Sequence, residues 1–263
     1  MNFKDHFSGH AALYRDARPH YPDALFEWIA QQSPARESAW DAGCGNGQAS
    51  VALARRFARV VATDPSAQQI DNAMQHPQVD YRVEPRSLSA RDGNAMSEVT
   101  SYRTSIPDRT MDAITVAQAL HWFDLPSFVA EVQRVAKSGA LFTAWAYAGC
   151  TVNAQVDTLI ARLYDDTLGA YWPPERRLVD EGYASLTLPF APLQAPAFEM
   201  RAEWNAGQLL AYLSSWSAAQ RYFAATGRDA IAGITAALRN AWGDPQQTRI
   251  VRWNLAMRAG RVG

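Results

Sequence analysis

The chain has 263 residues, 48% of them hydrophobic, and a formal net charge of −1 at pH 7. This length and apolar content suit one large domain with its own core, and the balanced charge gives no overall attraction to nucleic acid. No apolar run approaches the ~20 residues of a membrane span, the first residues lack a signal peptide's apolar core, and two cysteines imply no disulfide framework. We therefore expect a cytoplasmic monomer or homodimer that binds neither nucleic acid nor membrane.

Strand and helix patterns alternate from the N-terminus onward. A helix is predicted over Asp23–Gln32, started by Pro22, and a short strand over Glu37–Trp40. The stretch Trp40–Gln48 follows with the glycine pattern G-x-G-x-G, and Ala49–Phe57 then has helical apolar spacing. Because glycine has no Cβ atom, the backbone at such a strand-to-helix turn can approach a ligand closely.

A second predicted strand, Arg59–Asp64, ends in a carboxylate about 20 residues after the glycines, the spacing at which an acid can bind both hydroxyls of a ribose. A dinucleotide site would need G-x-G-x-x-G, but this chain has Gln48 at the last glycine position and Asp41 before the first. A carboxylate there repels a pyrophosphate and attracts an ammonium or a sulfonium. The loop therefore favours a nucleoside with a cationic tail over a dinucleotide.

The pattern Asp41-x-Gly43-x-Gly45-x-Gly47, with Asp64 after the next strand, resembles motif I and its partner acid in class I S-adenosylmethionine-dependent methyltransferases. The resemblance implies S-adenosylmethionine as methyl donor, S-adenosylhomocysteine as product, and no metal. It also implies that Asp64 takes the ribose hydroxyls and that Asp41 faces the cationic end. The cofactor contacts implied in this part of the chain are Asp41, Gly43, Cys44, Gly45, Asn46, Gly47, Asp64 and Pro65.

Aromatic and basic residues precede the first helix. The segments Phe7–Tyr14 and Arg18–Pro22 resemble the N-terminal lid of the trans-aconitate-methyltransferase-like group, and in that resemblance Tyr14 and Arg18 lie over the methionine end of the cofactor. The Arg18 guanidinium can bind a carboxylate through two parallel hydrogen bonds. An exposed arm with scattered charges is the alternative.

A polar stretch, 84–110, interrupts the regular pattern. A helix is predicted before it over 65–75, together with a strand over Val79–Val83. The stretch itself has no steady period, and we predict a mobile surface insertion. The acid that usually contacts adenine in the resembled family has three candidates here: Ser87, Asn94 and Glu98.

The strand predicted over Met111–Ala117 should end beside the glycine loop, because a doubly wound sheet binds ligands where its strand order reverses. The residues after it, Gln118 to Phe123, resemble motif IV of the same methyltransferase group. The resemblance implies that Gln118 lies under the sulfonium, with Ala119 also in contact with the cofactor.

His121 is the candidate catalytic residue. It can act as a base toward a phenol or alcohol, position a carboxylate as donor or imidazolium, or hold the loop through a backbone hydrogen bond. Trp122 is a candidate substrate contact, either as core packing under the loop or as an aromatic wall facing the sulfonium.

The second half of the chain is mainly helical. A helix over 126–137 and a strand over 140–147 complete the core, and two helices are predicted around 207–225 and 228–242. The resemblance implies that the helices between 152 and 242 form a cap over the active site. Phe198–Trp204 and Thr248–Met257 alternate as strands. A mixed aromatic and cationic lining for a small organic acid is predicted from the lid and the cap, with solvated surface arginines as the alternative for Arg176 and Arg177: Arg18, Tyr171, Trp172, Arg176, Arg177 and Trp216.

These patterns predict an α/β, doubly wound fold. The resemblance implies a Rossmann-like, mainly parallel seven-stranded sheet with its last strand antiparallel, plus a helical cap. We expect a single domain over 1–263, with an N-terminal lid and helix at 1–32, a cofactor-binding core at 33–147, cap helices with one core strand at 148–242, and the final strand at 243–263.

The predicted function is S-adenosylmethionine-dependent methylation of a small molecule, at the oxygen of a carboxylate or hydroxyl. Three alternatives stay open: a nucleic-acid or protein methyltransferase, a cofactor-binding protein without catalysis, and a nicotinamide-dependent oxidoreductase.

Overall fold

The computed structural model describes residues 19–84 and 102–263. The predicted lid residues and adenine candidates therefore lie outside the described residues: Tyr14, Arg18, Ser87, Asn94 and Glu98. Within the described ranges, no helix combines the length and the apolar content that crossing a bilayer requires.

The described residues form one eight-stranded sheet with helices on both faces. The strands are β1 (Ser38–Ala42), β2 (Arg59–Asp64), β3 (Val79–Val83), β4 (Met111–Ala117), β5 (Ala136–Ala146), β6 (Ala191–Pro192), β7 (Phe198–Trp204) and β8 (Arg249–Arg261). The helices are α1 (Asp23–Gln32), α2 (Gln48–Ala54), α3 (Ala67–Asp71), α4 (Leu125–Val135), α5 (Ala154–Arg162), α6 (Arg176–Asp180), α7 (Ala206–Ser214), α8 (Ser217–Thr226) and α9 (Ala232–Trp242).

Strands β1 to β5 pair in parallel in the order β3-β2-β1-β4-β5. Strand β8 is antiparallel beside β5, and β6 and β7 pair with β8. The strand order reverses between β1 and β4, so their carboxyl ends meet at one crevice. This confirms the predicted doubly wound, mainly parallel sheet with its last strand antiparallel.

Five of the described elements have the predicted bounds, and one predicted cap helix does not. Helix α1 and strands β2, β3, β4 and β7 begin and end where the sequence predicts. The single helix predicted over 207–225 is wrong: Trp216, between α7 and α8, has an extended backbone with a φ of −64° and a ψ of 137°. Its ring packs 5.6 Å from that of Trp172, a contact that replaces one helical turn.

Residues 102–106 are packed into the core through alternate side chains, so the predicted surface insertion is wrong for this part of the stretch. Tyr102, Thr104 and Ile106 are buried. The carboxylate of Glu131 in α4 accepts hydrogen bonds of 2.7 Å from both the N–H and the hydroxyl of Thr104. Arg134 lies 2.5 Å from the same carboxylate, so a buried ion pair anchors the segment.

We expect Glu131→Gln to lower the free energy of unfolding by about 3 kcal/mol, because the variant leaves Arg134 without its buried partner. Urea denaturation measures the change. Glu27→Gln is the control: the Glu27 side chain is 49% exposed, and its replacement should change stability by less than about 0.5 kcal/mol. Equal effects of the two substitutions would contradict the anchoring role.

Candidate functional site

The glycine loop, residues 43–47, bonds its backbone N–H groups within the protein. A loop that binds a pyrophosphate leaves such groups free for phosphate oxygens. Here four of the loop's N–H groups donate to protein oxygens, which argues against a bound dinucleotide. The groups left for a ligand are carbonyl and carboxylate oxygens. The bonds are Gly43 N–H to the Thr63 carbonyl (2.8 Å), Cys44 N–H to the same carbonyl (3.0 Å), Gly45 N–H to the Asp64 carboxylate (2.9 Å) and Gly47 N–H to the Cys44 carbonyl (2.9 Å).

The glycine loop touches the exit of β4. A Cβ atom on Gly43 would lie 2.6 Å from the Cβ of Ala119 and 3.0 Å from the Phe123 ring. Gly43 also has a φ of +68°, so a residue with a side chain does not fit there. The two segments that the sequence places at one crevice are thus in direct contact.

Asp64 ends β2 beneath the loop and is nearly buried. One carboxylate oxygen accepts the N–H of Gly45 and the other accepts the N–H of Ser66, each at 2.9 Å. These two bonds fix the orientation of the carboxylate at the carboxyl end of β2.

Asp41 is fully buried at 0% exposure. The hydroxyls of Ser50 and Thr115 donate to its two oxygens at 2.6 and 3.0 Å. Burial raises the pKa of Asp41 to about 6, and the two hydrogen bonds offset part of that rise. The carboxylate ties β1 to α2 and β4, so the predicted contact with the cationic end of a cofactor would act through its charge rather than through an exposed oxygen.

Gln118 has a left-handed backbone, with a φ of +57°. This conformation costs a residue with a side chain about 1–3 kcal/mol and is concentrated at functional sites. Its amide nitrogen donates to the Tyr147 carbonyl at 2.9 Å, and its amide oxygen accepts the Tyr147 N–H at 3.1 Å. The side chain therefore extends the pairing of β4 and β5 beyond both strands and fixes the edge of the crevice.

His121 lies in the short 3-10 turn Leu120–Trp122. Its Nδ1 is 3.0 Å from the hydroxyl of Tyr183, and its ring centroid is 4.7 Å from that of Trp122. Burial and, to a smaller extent, the charge of Arg176 together lower the pKa of His121 to about 3. The imidazole is therefore neutral at physiological pH, which removes the imidazolium role.

Arg176 is held in the cap rather than solvated, with a side chain 16% exposed. Its guanidinium lies 4.7 Å from the ring centroid of Trp172 and 5.4 Å from that of Tyr164. Its Nη2 donates to the carbonyl of Ala148, just beyond β5. The alternative prediction, a solvated surface arginine, fits Arg177, whose side chain is 77% exposed.

Further aromatic side chains continue the cap cluster. Trp216 packs on Trp172, and Tyr171 packs on Tyr222 with ring centroids 5.1 Å apart. In the described part of the chain, His, Cys, Asp and Glu side chains form no group of three or more that could hold a metal ion.

Comparison with known proteins identifies the family. A family model described as a methyltransferase domain matches residues 40–144. A Dictyostelium discoideum protein, provisionally named a methyltransferase, is 31% identical over 244 residues, which are 91% of this chain and 87% of that protein. The chain is a class I S-adenosylmethionine-dependent methyltransferase.

Two further likenesses extend the comparison. The solved structure of a protein from Anaeromyxobacter dehalogenans, provisionally named a type II methyltransferase, is 44% identical with a TM-score of 0.83, covering 93% of this methyltransferase and 98% of that chain. A Saccharomyces cerevisiae protein, provisionally named an S-adenosylmethionine-dependent methyltransferase, is 30% identical over 52% of this chain and 45% of its own length.

S-adenosylmethionine is the methyl donor of this methyltransferase, and the described residues fit it. The glycine loop offers oxygens rather than free N–H groups, and the crevice brings most predicted cofactor residues together. The individual contact roles remain predictions. The residues placed at the crevice by β1, β2, β4 and the turns after them are Asp41, Gly43, Cys44, Gly45, Asn46, Gly47, Asp64, Pro65, Gln118 and Ala119.

Tyr102 and Tyr183 were not predicted from the sequence. Tyr102 is 8% exposed, and its buried hydroxyl makes no hydrogen bond of good geometry to another described residue. Burial and then the charge of Asp64 raise the pKa of Tyr102, and the Thr63 side chain offsets part of that rise, so the hydroxyl lies near Asp64. In the sequence, Tyr102 and Ile106 stand two residues to either side of Thr104 and alternate with the polar Arg103 and Ser105, which is a strand-like signal for this segment. No such signal exists for Tyr183, which only the fold brings to His121.

We expect Asp41→Asn to remove a pH dependence of stability. The folded-state pKa of about 6 exceeds the ~3.9 of an unfolded aspartate, so the stabilisation is complete below about pH 4 and is lost as the pH rises through 6. From about pH 4 to pH 7, the free energy of unfolding of the wild type should fall by about 2–3 kcal/mol relative to that of the variant.

Urea denaturation at several pH values measures this difference. Asp23→Asn is the control, because the Asp23 side chain is 74% exposed, and its profile should run parallel to that of the wild type. Parallel wild-type and Asp41→Asn profiles would show that Asp41 titrates normally.

Proposed function

We propose that this methyltransferase methylates an oxygen atom of a small molecule, a carboxylate or a hydroxyl. The observation that carries the proposal is the closure of the cap on the crevice. Arg176, which begins α6, donates to the carbonyl of Ala148 and lies close enough to His121 to lower its pKa. The cap thus brings aromatic rings and a cation to the exits of β4 and β5, where the β4 exit supplies the neutral imidazole of His121. This set of groups suits a small acceptor with oxygen atoms better than a polymer.

S-adenosylmethionine, when bound, supplies a methyl group with partial positive charge to an oxygen about 3 Å away and in line with the breaking bond. The chain's own residues would bind and orient the two partners. Asp64 would hold the ribose hydroxyls, and Gln118 would keep the β4 exit in place. Tyr14 and Arg18 stay predicted contacts of the methionine end.

The acceptor would lie between His121 and the cap. Its apolar or planar part would pack on Trp122, Trp172 and the neighbouring Tyr171 and Trp216. Nη1 of Arg176 makes no hydrogen bond to a described residue and is available to an acceptor oxygen. Membership of the trans-aconitate-methyltransferase-like group, a cytoplasmic location and a monomeric or homodimeric state remain predictions from the sequence.

Methyl-labelled S-adenosylmethionine tests the proposed acceptor class. The enzyme is incubated with fractionated cell extract and, separately, with sets of carboxylic acids, phenols and alcohols. Label should enter the small-molecule fraction, and an ester product should release labelled methanol in mild alkali. Asp71→Asn, on the exposed side of α3, should retain this activity. Label only in RNA, DNA or protein would overturn the proposal, as would S-adenosylhomocysteine binding without any labelled product.

Tyr102→Phe should separate cofactor binding from stability. The hydroxyl makes no hydrogen bond of good geometry to a described residue, and the nearby Thr63 side chain offsets only part of its raised pKa, so its removal should change the unfolding free energy of the ligand-free enzyme little. We propose that the same hydroxyl bonds the cofactor, so affinity for S-adenosylhomocysteine should fall by about 1 kcal/mol, roughly fivefold.

Calorimetry measures the affinity and urea denaturation the stability. Tyr212→Phe is the matched control: the Tyr212 hydroxyl accepts the Trp253 indole N–H at 3.0 Å, so this variant should lose stability and keep its affinity. Unchanged affinity in Tyr102→Phe would remove Tyr102 from the cofactor site.

A further inference from the structure

Tyr183 occupies a position that the cofactor contacts do not explain. It is fully buried, and it follows α6 with a φ of +60°, directly after Gly182 with the same φ. Two successive left-handed residues are unfavourable when one carries a side chain. They turn the chain so that the Tyr183 hydroxyl lies 3.0 Å from Nδ1 of His121.

The hydroxyl of Tyr183 has one proton to donate. Burial raises the pKa of this phenol, so it keeps its proton at neutral pH. The backbone N–H groups of Leu120 and His121 act on the phenol oxygen and offset part of that rise, so the oxygen faces donors. Among the described residues, the side-chain hydrogen bond of the hydroxyl is that with His121 Nδ1.

The neutral imidazole of His121 carries its single proton on Nδ1 or on Nε2. With the proton on Nδ1, the phenol could only accept, and its own buried O–H would have no partner, which is a costly arrangement. With the proton on Nε2, Nδ1 accepts from the phenol and every donor between the two side chains is satisfied. The buried geometry therefore favours the second tautomer.

We propose that Tyr183 is a positioning residue that holds His121 in the Nε2–H tautomer, so that His121 offers the acceptor a hydrogen-bond donor and not a base. The inference rests on the proposed function, in which His121 contacts the acceptor. Nε2 makes no hydrogen bond to a described residue, and His121 is only partly buried, so this nitrogen is available to a ligand. The neighbouring cation Arg176 further opposes a second proton on the ring.

The tautomer restricts the acceptor to an oxygen that is ionised at neutral pH, as a carboxylate is. Such an oxygen forms the new O–C bond with its own electron pair, the C–S bond breaks with its pair left on sulfur, and no proton has to leave. An alcohol would have to give its proton to a base, and Nε2 of this tautomer has no free lone pair. The donor at Nε2 would instead orient the carboxylate.

The tautomer can be measured without any acceptor. In protein labelled with ¹⁵N-histidine, two-bond ¹H–¹⁵N correlation distinguishes protonated from unprotonated ring nitrogens. His121→Gln identifies the His121 signals among the five histidines. We expect an unprotonated Nδ1 and a protonated Nε2, unchanged from about pH 5 to pH 8. An Nδ1–H tautomer, or an imidazolium in this range, would overturn the proposal.

Tyr183→Phe tests the cause of the tautomer, since it keeps the ring and removes the hydroxyl. The His121 signals should move toward a mixture of tautomers, while Tyr212→Phe should leave them unchanged. A pure Nε2–H form in Tyr183→Phe would remove Tyr183 from this role. If Tyr183→Phe does not fold, the test is made on the wild type. A slowly exchanging Tyr183 phenol proton that is coupled to Nδ1 of His121 supports the hydrogen bond, and a freely exchanging one overturns it.

The donor role also predicts kinetics once an acceptor is known. His121→Gln keeps an N–H donor near the position of Nε2 and should retain turnover within about tenfold, whereas loss of a general base costs about 10²–10⁴-fold. A loss in that larger range would overturn the donor role. Failure of the proposed function, with no small molecule methylated, is distinct from failure of this inference, which the ligand-free tautomer decides.

Discussion

The contact between the glycine loop and the β4 exit is the constraint on which the site depends. Gly43 can pass Ala119 only because neither segment projects a larger side chain at that point. Asp41 holds the same segments from below by accepting from Ser50 of α2 and Thr115 of β4. The crevice is therefore built by the protein's own hydrogen bonds, so that its shape does not depend on a ligand to satisfy them.

The positions of the main strands could be predicted because parallel strands buried on both faces are continuous apolar runs. β2 and β4, which are buried along almost their whole length, begin and end at the predicted residues for this reason. The glycine pattern, with Asp41 before it and Asp64 after it, was sufficient to predict the cofactor. The same sequence could not show that Asp41 is turned inward, because that orientation depends on Ser50 and Thr115.

The errors fall where long-range packing decides the structure. Trp216 breaks a helical pattern because its ring joins the cluster of Trp172 and Arg176, and no local residue signals this. Residues 102–106 are polar in composition, but Glu131 supplies the hydrogen bonds that allow Thr104 to be buried. Tyr183 is 62 residues from His121, and no spacing rule connects them.

The neutral His121 has a consequence for the response of the whole fold to acid. An unfolded histidine gains a proton near pH 6.5, whereas the folded-state pKa of His121 is about 3, so this residue withdraws stability as the pH falls between those values. Asp41 acts with the opposite sign over an overlapping interval. The two contributions oppose each other in mild acid, so a nearly flat stability profile there would conceal two large and compensating proton linkages.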